Sequence, residues 1–318
     1  MSENNSGWER SVLEKVALAA VDEQRRARRW GIFFKFLIFG YLFVVLAIAM
    51  GWFGRKDSST GTGKHTALVE LNGVIASGSA ASADLVIQGL TEAFKDKRTQ
   101  GIILRINSPG GSPVQSGYIN DEIKRLRTKY PDTPLYAVVE DVCASGGYYV
   151  AVAADKIFVN KASMIGSIGV LMNGFGFTGT MEKLGVERRL LAAGENKGFL
   201  DPFSPLNDEQ KGHAKQMLTE IHEQFIDVVR KGRGKRLKET PEMFSGLVWV
   251  GQKSIELGLA DALGSAEQVA RDVIKAEDII DYTPRENVAE RFAKRFGAAA
   301  AETLVKMGGA GVINLQMR

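Results

Sequence analysis

Cysteine and histidine are almost missing from this 318-residue chain, which has one cysteine, Cys143, and three histidines, His65, His213 and His222. A single cysteine excludes an intrachain disulfide and any metal cluster built on cysteines. It leaves the compartment open, because an extracytoplasmic protein can do without disulfides. Nor is there a strong excess of one charge: 41 Lys and Arg stand against 37 Asp and Glu. The ends carry what excess there is, +2 in residues 1–35 and +3 in 285–318, which leaves 36–284 near −1. A body without net positive charge argues against nucleic acid as a partner. The composition is otherwise that of a globular protein, 45% apolar and 25% charged, with 35 glycines that imply many tight turns or close backbone approaches.

One long apolar run is present. FLIFGYLFVVLAIAMGWF, residues 36–53, holds no charge, and its 18 residues at about 1.5 Å each reach about 27 Å, close to the thickness of a bilayer's hydrocarbon core. Lys35 can snorkel, and Trp30 and Trp52 stand where an interfacial aromatic belt would put them. RRARR at 25–29 precedes the run, whereas only Arg55 and Lys56 follow it closely. The positive-inside rule then predicts a cytoplasmic segment at 1–29, a transmembrane anchor at 30–53 and everything later outside the cytoplasm. The small-x-small AIA at 47–49 is also compatible with a cleaved signal peptide; the long stretch before the run favours an uncleaved anchor. A buried core helix is disfavoured by the length of the run.

A polar, Gly/Ser/Thr-rich linker is expected at 54–65, a single domain at 66–284 and a basic, then Ala/Gly-rich tail at 285–318. GTGKHT in the linker fails as a phosphate loop, since Ser58 stands where the first glycine belongs and His65 follows the lysine. Within the domain, strand-like runs alternate with amphipathic helices. Strands are expected at 67–76, 101–107, 134–141 and 156–160, helices at 83–96, 114–129 and 208–232, and a strand, turn and helix closed by Gly258 at 246–261. This alternation implies an α/β fold with largely parallel strands.

Acyl-bond hydrolysis needs a nucleophile, a base and donors for the oxyanion. No Ser-His-Asp set suggests itself: His65 falls in the linker, and His213 and His222 fall on a long polar-faced helix where solvated side chains are expected. Cys143 lacks a histidine partner and reads as a small buried residue. Ser145, in CASGGYY, follows a predicted strand and opens a helix, where α/β proteins place ligands. On local sequence alone it reads first as a helix N-cap, and the glycine two residues before it that a nucleophile elbow requires is absent. SPGG at 108–111 offers a second loop of N–H groups, or simply a turn. Without histidine, the remaining base is a lysine, whose ordinary pKa of about 10.4 must fall by several units. Lys197, in a Gly- and Pro-bounded loop with Phe199, Leu200 and Phe203, is such a residue, although composition alone would not select it among 41 basic residues.

The ordered set SPGG, ASGGYY, GSIGV, NKGFLDPFSP and GLVWVGQKSIELGLAD resembles the signal peptide peptidase A (protease IV) family of bacterial membrane-bound serine peptidases, over about residues 66–275. The resemblance implies a ClpP/crotonase-like fold, a spiral of ββα units, and a Ser–Lys dyad with Ser145 as nucleophile and Lys197 as general base. It further implies Gly146 and Gly110 at the oxyanion hole, Ser167 orienting the lysine, and no metal or cofactor. The implied substrates are signal peptides and other small membrane-associated peptides. The implied location is the bacterial inner membrane, with the catalytic domain periplasmic. Short members of the family form rings in which Ser and Lys of one site come from neighbouring subunits. One departure is Gly198, where the family usually has Ser or Thr after the lysine. Two other readings compete: a crotonase-like acyl-CoA enzyme, opposed by the anchor and external domain, and a catalytically silent scaffold, opposed by the presence of both dyad residues.

Overall fold

The computed structural model describes residues 5–49 and 63–284. The expected tail at 285–318, most of the linker and Trp52 lie outside the described residues. The chain divides into two compact units, one holding the N-terminal helix and the other every strand among the described residues. In the first, α1 runs unbroken over Asn5–Ala49. Its stretch Glu23–Ala47 is long and apolar enough to cross a membrane, and its side chains from Glu23 to Leu46 are exposed.

The second unit is built on an eight-stranded sheet of β1 (His65–Asn72), β2 (Thr99–Ser108), β3 (Leu135–Ala144), β4 (Lys156–Val159), β5 (Met164–Gly166), β6 (Val248–Val250), β7 (Ala262–Leu263) and β8 (Ile279–Asp281). The main order is β6-β5-β3-β2-β1-β8, and β4 joins β3 to β7 off this path. All pairings are parallel except β5 with β6. Parallel neighbours need crossovers, which α2 (Ala83–Lys95) and α3 (Pro113–Lys129) supply between the first three strands. α2 and α3 pack on one face and Ala266, Val269 and Ala270 on the other, so the sheet lies under cover on both faces, as the apolar run Ile102–Ile103–Leu104 predicts; all three are fully buried. Side-chain alternation sorts them, since Ile102 and Leu104 join the large core with Val69, Leu90 and Ile123. Ile103 joins a smaller cluster on the other face with Leu68, Val138 and Phe158.

β3 splits its partners: its first half pairs with β4 and its last residues, Val142–Ala144, with β5. The divergence opens the sheet at the carboxyl end of β3, where a ligand can approach. There the chain turns into the short helix α4 (Gly146–Ala151). The exposed helix α5 (Thr178–Lys183) lies in a long segment after β5, the 26-residue α6 (Asp208–Arg233) follows, and α7 (Gly251–Glu256) completes the unit before β7. Gly258, with φ of 74°, ends α7 as its sequence anticipates.

His65 is not linker. It opens β1, is 1% exposed, and hydrogen-bonds through Nε2 to the Tyr282 hydroxyl at 3.0 Å. Tyr282 in turn donates to Asp96 at 2.8 Å. Burial, then the Asp96 hydrogen bond, pushes the Tyr282 phenol up to about 12. The sequence misplaces His65 because its signal comes from a partner 217 residues away.

Candidate active site

Ser145 is set by the turn from β3 into α4. Its φ of 51° and ψ of −124° lie in a region that residues with a Cβ rarely occupy, a strain of about 1–3 kcal/mol. Two backbone bonds hold it there: Ser145 N–H donates to the Gly166 carbonyl at 2.8 Å, and Tyr149 N–H to the Ser145 carbonyl at 2.9 Å. The hydroxyl does not cap α4. Among the described residues Ser145 Oγ has no hydrogen-bond partner. The turn is thus the strained strand-to-helix geometry of a nucleophile elbow, reached without the usual glycine two residues earlier. That position is Cys143, fully buried, and burial pushes its thiol far above the ordinary range, so it is inert.

The SPGG loop lies against this turn. A Cβ added at Gly110, whose φ is 99°, would stand 2.6 Å from the Gly146 nitrogen and 2.7 Å from the Ser145 Cβ. Only glycine permits that approach. The Gly110 N–H is itself committed, donating to Ser108 Oγ at 3.1 Å. Ser108 Oγ also donates to the Gly73 carbonyl at 2.6 Å, which fixes the loop from below. The next amide is different: among the described residues, neither the Gly111 nor the Gly146 N–H has an acceptor. The two residues are neighbours, since a Cβ on Gly146 would stand 3.3 Å from the Gly111 nitrogen. Gly110, which the resemblance placed at an oxyanion hole, therefore forms a wall of the site, and Gly111, read from the sequence only as part of the loop of N–H groups, offers the free amide beside Gly146. SPGG signalled the loop but not which of its N–H groups would be spent inside it.

Ser145, Gly146, Gly111 and Ser167 line one open cleft of about 980 Å³, together with Tyr118, Tyr149, Phe225 and others. Asp121 is the charged residue among those that line it. Ser167 also has positive φ, 50°, and its N–H donates to the Leu247 carbonyl at 2.7 Å. His222, expected in solvent, is half-buried, with Nε2 3.1 Å from the Ile168 carbonyl. His213 is exposed as expected, its ring edge-on to Phe199.

Lys197 does not line this cleft. It is exposed, in the segment between β5 and α6 that is exposed along most of its length. Apart from α5 that segment has no regular helix or strand, and its own side chains tie it together. Phe177 stacks on Phe203 with centroids 5.4 Å apart, Arg188 pairs with Asp201, and Phe177 N–H donates to the Pro202 carbonyl at 2.8 Å. Leu191 is 96% exposed, Leu171 82% and Phe175 75%, apolar side chains that none of the described residues covers.

The fold and cleft define an α/β protein with an elbow serine and two open amides. Residues 127–279, which contain Ser145, Ser167 and Lys197, match the model of peptidase family S49. A putative protease of Synechocystis is 32% identical over 208 residues, covering 65% of this chain and 73% of that protein. A putative signal peptide peptidase of Enterococcus faecium is 31% identical over 61% of this chain and 56% of its own. A Na(+)/H(+) antiporter NhaA of Brucella abortus is 44% identical over 57% of this chain, a match that covers 25% of the antiporter. The chain belongs to peptidase family S49, and its mainly parallel α/β sheet is of that family's ClpP-like type. It spans about a quarter of the length of the antiporter and about half of the enterococcal protein.

Proposed function

We propose that this protein is a membrane-anchored serine endopeptidase in which Ser145 attacks the scissile carbonyl and Lys197, delivered by a neighbouring copy of the chain, is the base. The observation that carries the reading is Ser145 itself, strained, uncapped and facing an open cleft beside the acceptor-free amides of Gly111 and Gly146. Ser145 Oγ gives its proton to the lysine amine as it adds to the substrate carbonyl, and the two amides receive the developing oxyanion. Collapse of the tetrahedral intermediate expels the amine product, which takes that proton, and leaves an acyl-serine. Water, deprotonated by the same lysine, then releases the acid product and restores the serine.

A lysine serves as base only when neutral, a form that desolvation favours. An exposed Lys197 on an uncovered apolar arm supports a second copy as the source of that desolvation. In the assembled site Ser167, on the wall of the cleft, hydrogen-bonds and orients the incoming amine. A closed ring satisfies every arm and every cleft at once. The apolar helix and the asymmetric charge around it support a segment 1–29 inside the cell, an anchor over 30–53 and the 66–284 domain outside the cytoplasmic membrane. Signal peptides and other membrane-released peptides are then the substrates within reach.

A fluorophosphonate tests the reading. Wild type should label at Ser145, and Ser145→Ala should not; an unlabelled wild type, or labelling that survives Ser145→Ala, defeats it. Mixing Ser145→Ala with Lys197→Ala tests sharing, because each supplies what the other lacks. Partial recovery of peptide hydrolysis is expected, and no recovery despite demonstrated subunit exchange rejects the shared site.

A further inference from the structure

We infer that His222 is a positioning residue, which holds the turn carrying Ser167 in its working conformation; the inference rests on the Ser–Lys reading above. Ser167 is one of four non-glycine residues with positive φ among those described. Such a conformation persists only when its surroundings over-determine it. Three bonds do so here. Ser145 N–H binds the Gly166 carbonyl just before Ser167, and Ser167 N–H binds the Leu247 carbonyl on the β6 side. The third comes from α6, where His222 Nε2 lies 3.1 Å from the carbonyl of Ile168, just after Ser167. The first two tie the turn to the sheet. His222 alone among the three acts through a side chain, and it does not itself line the cleft that Ser167 lines.

α6 braces both walls of the site from one face. Phe225, three residues beyond His222, packs on Tyr149 with ring centroids 5.2 Å apart. Tyr149 stands one turn beyond Ser145 in the nucleophile's own helix. Ile168 is fully buried, so a lost donor would leave its carbonyl without water to replace it. A carbonyl oxygen can only accept, so the Nε2 atom must carry the proton. The neutral ring is therefore the Nε2–H tautomer. Ser167 then keeps the orientation in which its hydroxyl meets the lysine amine, and the effect of His222 on catalysis passes through Ser167.

Two measurements test this on the full-length protein. The first needs no activity: nitrogen-15 spectra at about pH 8, above the ordinary imidazole pKa of about 6.5, should report His222 protonated at Nε2. A ring protonated at Nδ1 alone overturns the proposal. The second is kinetic. His222→Leu, which fills space but donates nothing, should lower kcat about tenfold with KM within about twofold, and His222→Gln, whose amide nitrogen reaches a similar point, should recover most of it. In a Ser167→Ala background, His222→Leu should cost less than about threefold. An undiminished loss there, or a His222→Gln variant no better than His222→Leu, overturns the proposal. If wild type fails to label with fluorophosphonate, the Ser–Lys reading falls, and the tautomer still decides whether His222 holds the turn.

Discussion

The two residues of the proposed dyad sit in opposite kinds of structure. Ser145 stands in the turn just past a central strand, held by Gly166, Gly110 and Tyr149, beside residues of which Cys143, Gly146 and Gly147 are buried. Lys197 stands on an arm that packs chiefly on itself and exposes Leu191 almost completely. Core rigidity holds a serine in a strained backbone, whereas an exposed arm is free to be seated by something else. Strain is kept where packing can support it, and exposure is kept where packing is thin.

The largest effect expected from breaking this contrast is chemical. Ser145→Ala and Lys197→Ala should each lower peptide hydrolysis at least about 1000-fold. Circular dichroism should find both folded, and only Ser145→Ala loses its fluorophosphonate target outright. Next comes stability. Arg233, 1% exposed, binds both oxygens of Asp261, at 2.8 and 3.0 Å, and the Gly258 carbonyl at 2.7 Å. Arg233→Met leaves that carboxylate without its buried partner and should cost about 3 kcal/mol in chemical denaturation. A matching change in the arm, Leu191→Asp, should leave the denaturation midpoint unchanged and reduce self-association in sedimentation.

A smaller, pH-dependent effect follows from the same pair. Burial alone would raise the Asp261 carboxyl, but Arg233, the Ile157 N–H and Arg236 outweigh it and hold it below its ordinary value. A carboxyl lowered in the folded state contributes stability above its unfolded pKa of about 3.9 and loses it as pH falls through the folded value. Wild type should therefore lose stability more steeply than Asp261→Asn below about pH 4. Equal slopes would mean that Asp261 contributes nothing to acid unfolding. The smallest contrast is between glycines. Gly146→Ala drives its Cβ against Ser116 Oγ and within 3.3 Å of the Gly111 amide, so labelling of Ser145 should slow by about tenfold or more. Gly174→Ala in the arm meets nothing within 4 Å, and labelling should be unchanged.

Much of this was legible in the chain. Apolar runs such as Ile102–Leu104 gave buried parallel strands, and the 3–4 spacing of Ala214, Met217, Leu218, Ile221, Phe225 and Val229 gave α6, of which Ala214, Phe225 and Val229 are buried while Met217 is exposed. The serine and SPGG loops were marked by glycines whose freedom the turns use. Other features were hidden because their causes lie far off in sequence. His65 belongs to β1 through Tyr282, and His222 meets Ile168 across 54 residues. Gly111 rather than Gly110 keeps a free amide only because Ser108 Oγ turns back on its own loop.

Local chemistry by itself determined the apolar span, the strand and helix pattern, and the glycine-marked loops at Ser145 and SPGG, since each depends on neighbours within a few positions; the family resemblance, not local chemistry, singled out Gly110, Ser167 and Lys197. Tertiary structure alone decided that Ser145 is strained and uncapped, that its cleft holds Ser167 and not Lys197, and that α6 reaches the Ser167 turn through His222. Those outcomes turn on which backbone groups find partners once distant strands and helices have packed, and a one-dimensional pattern does not record that pairing.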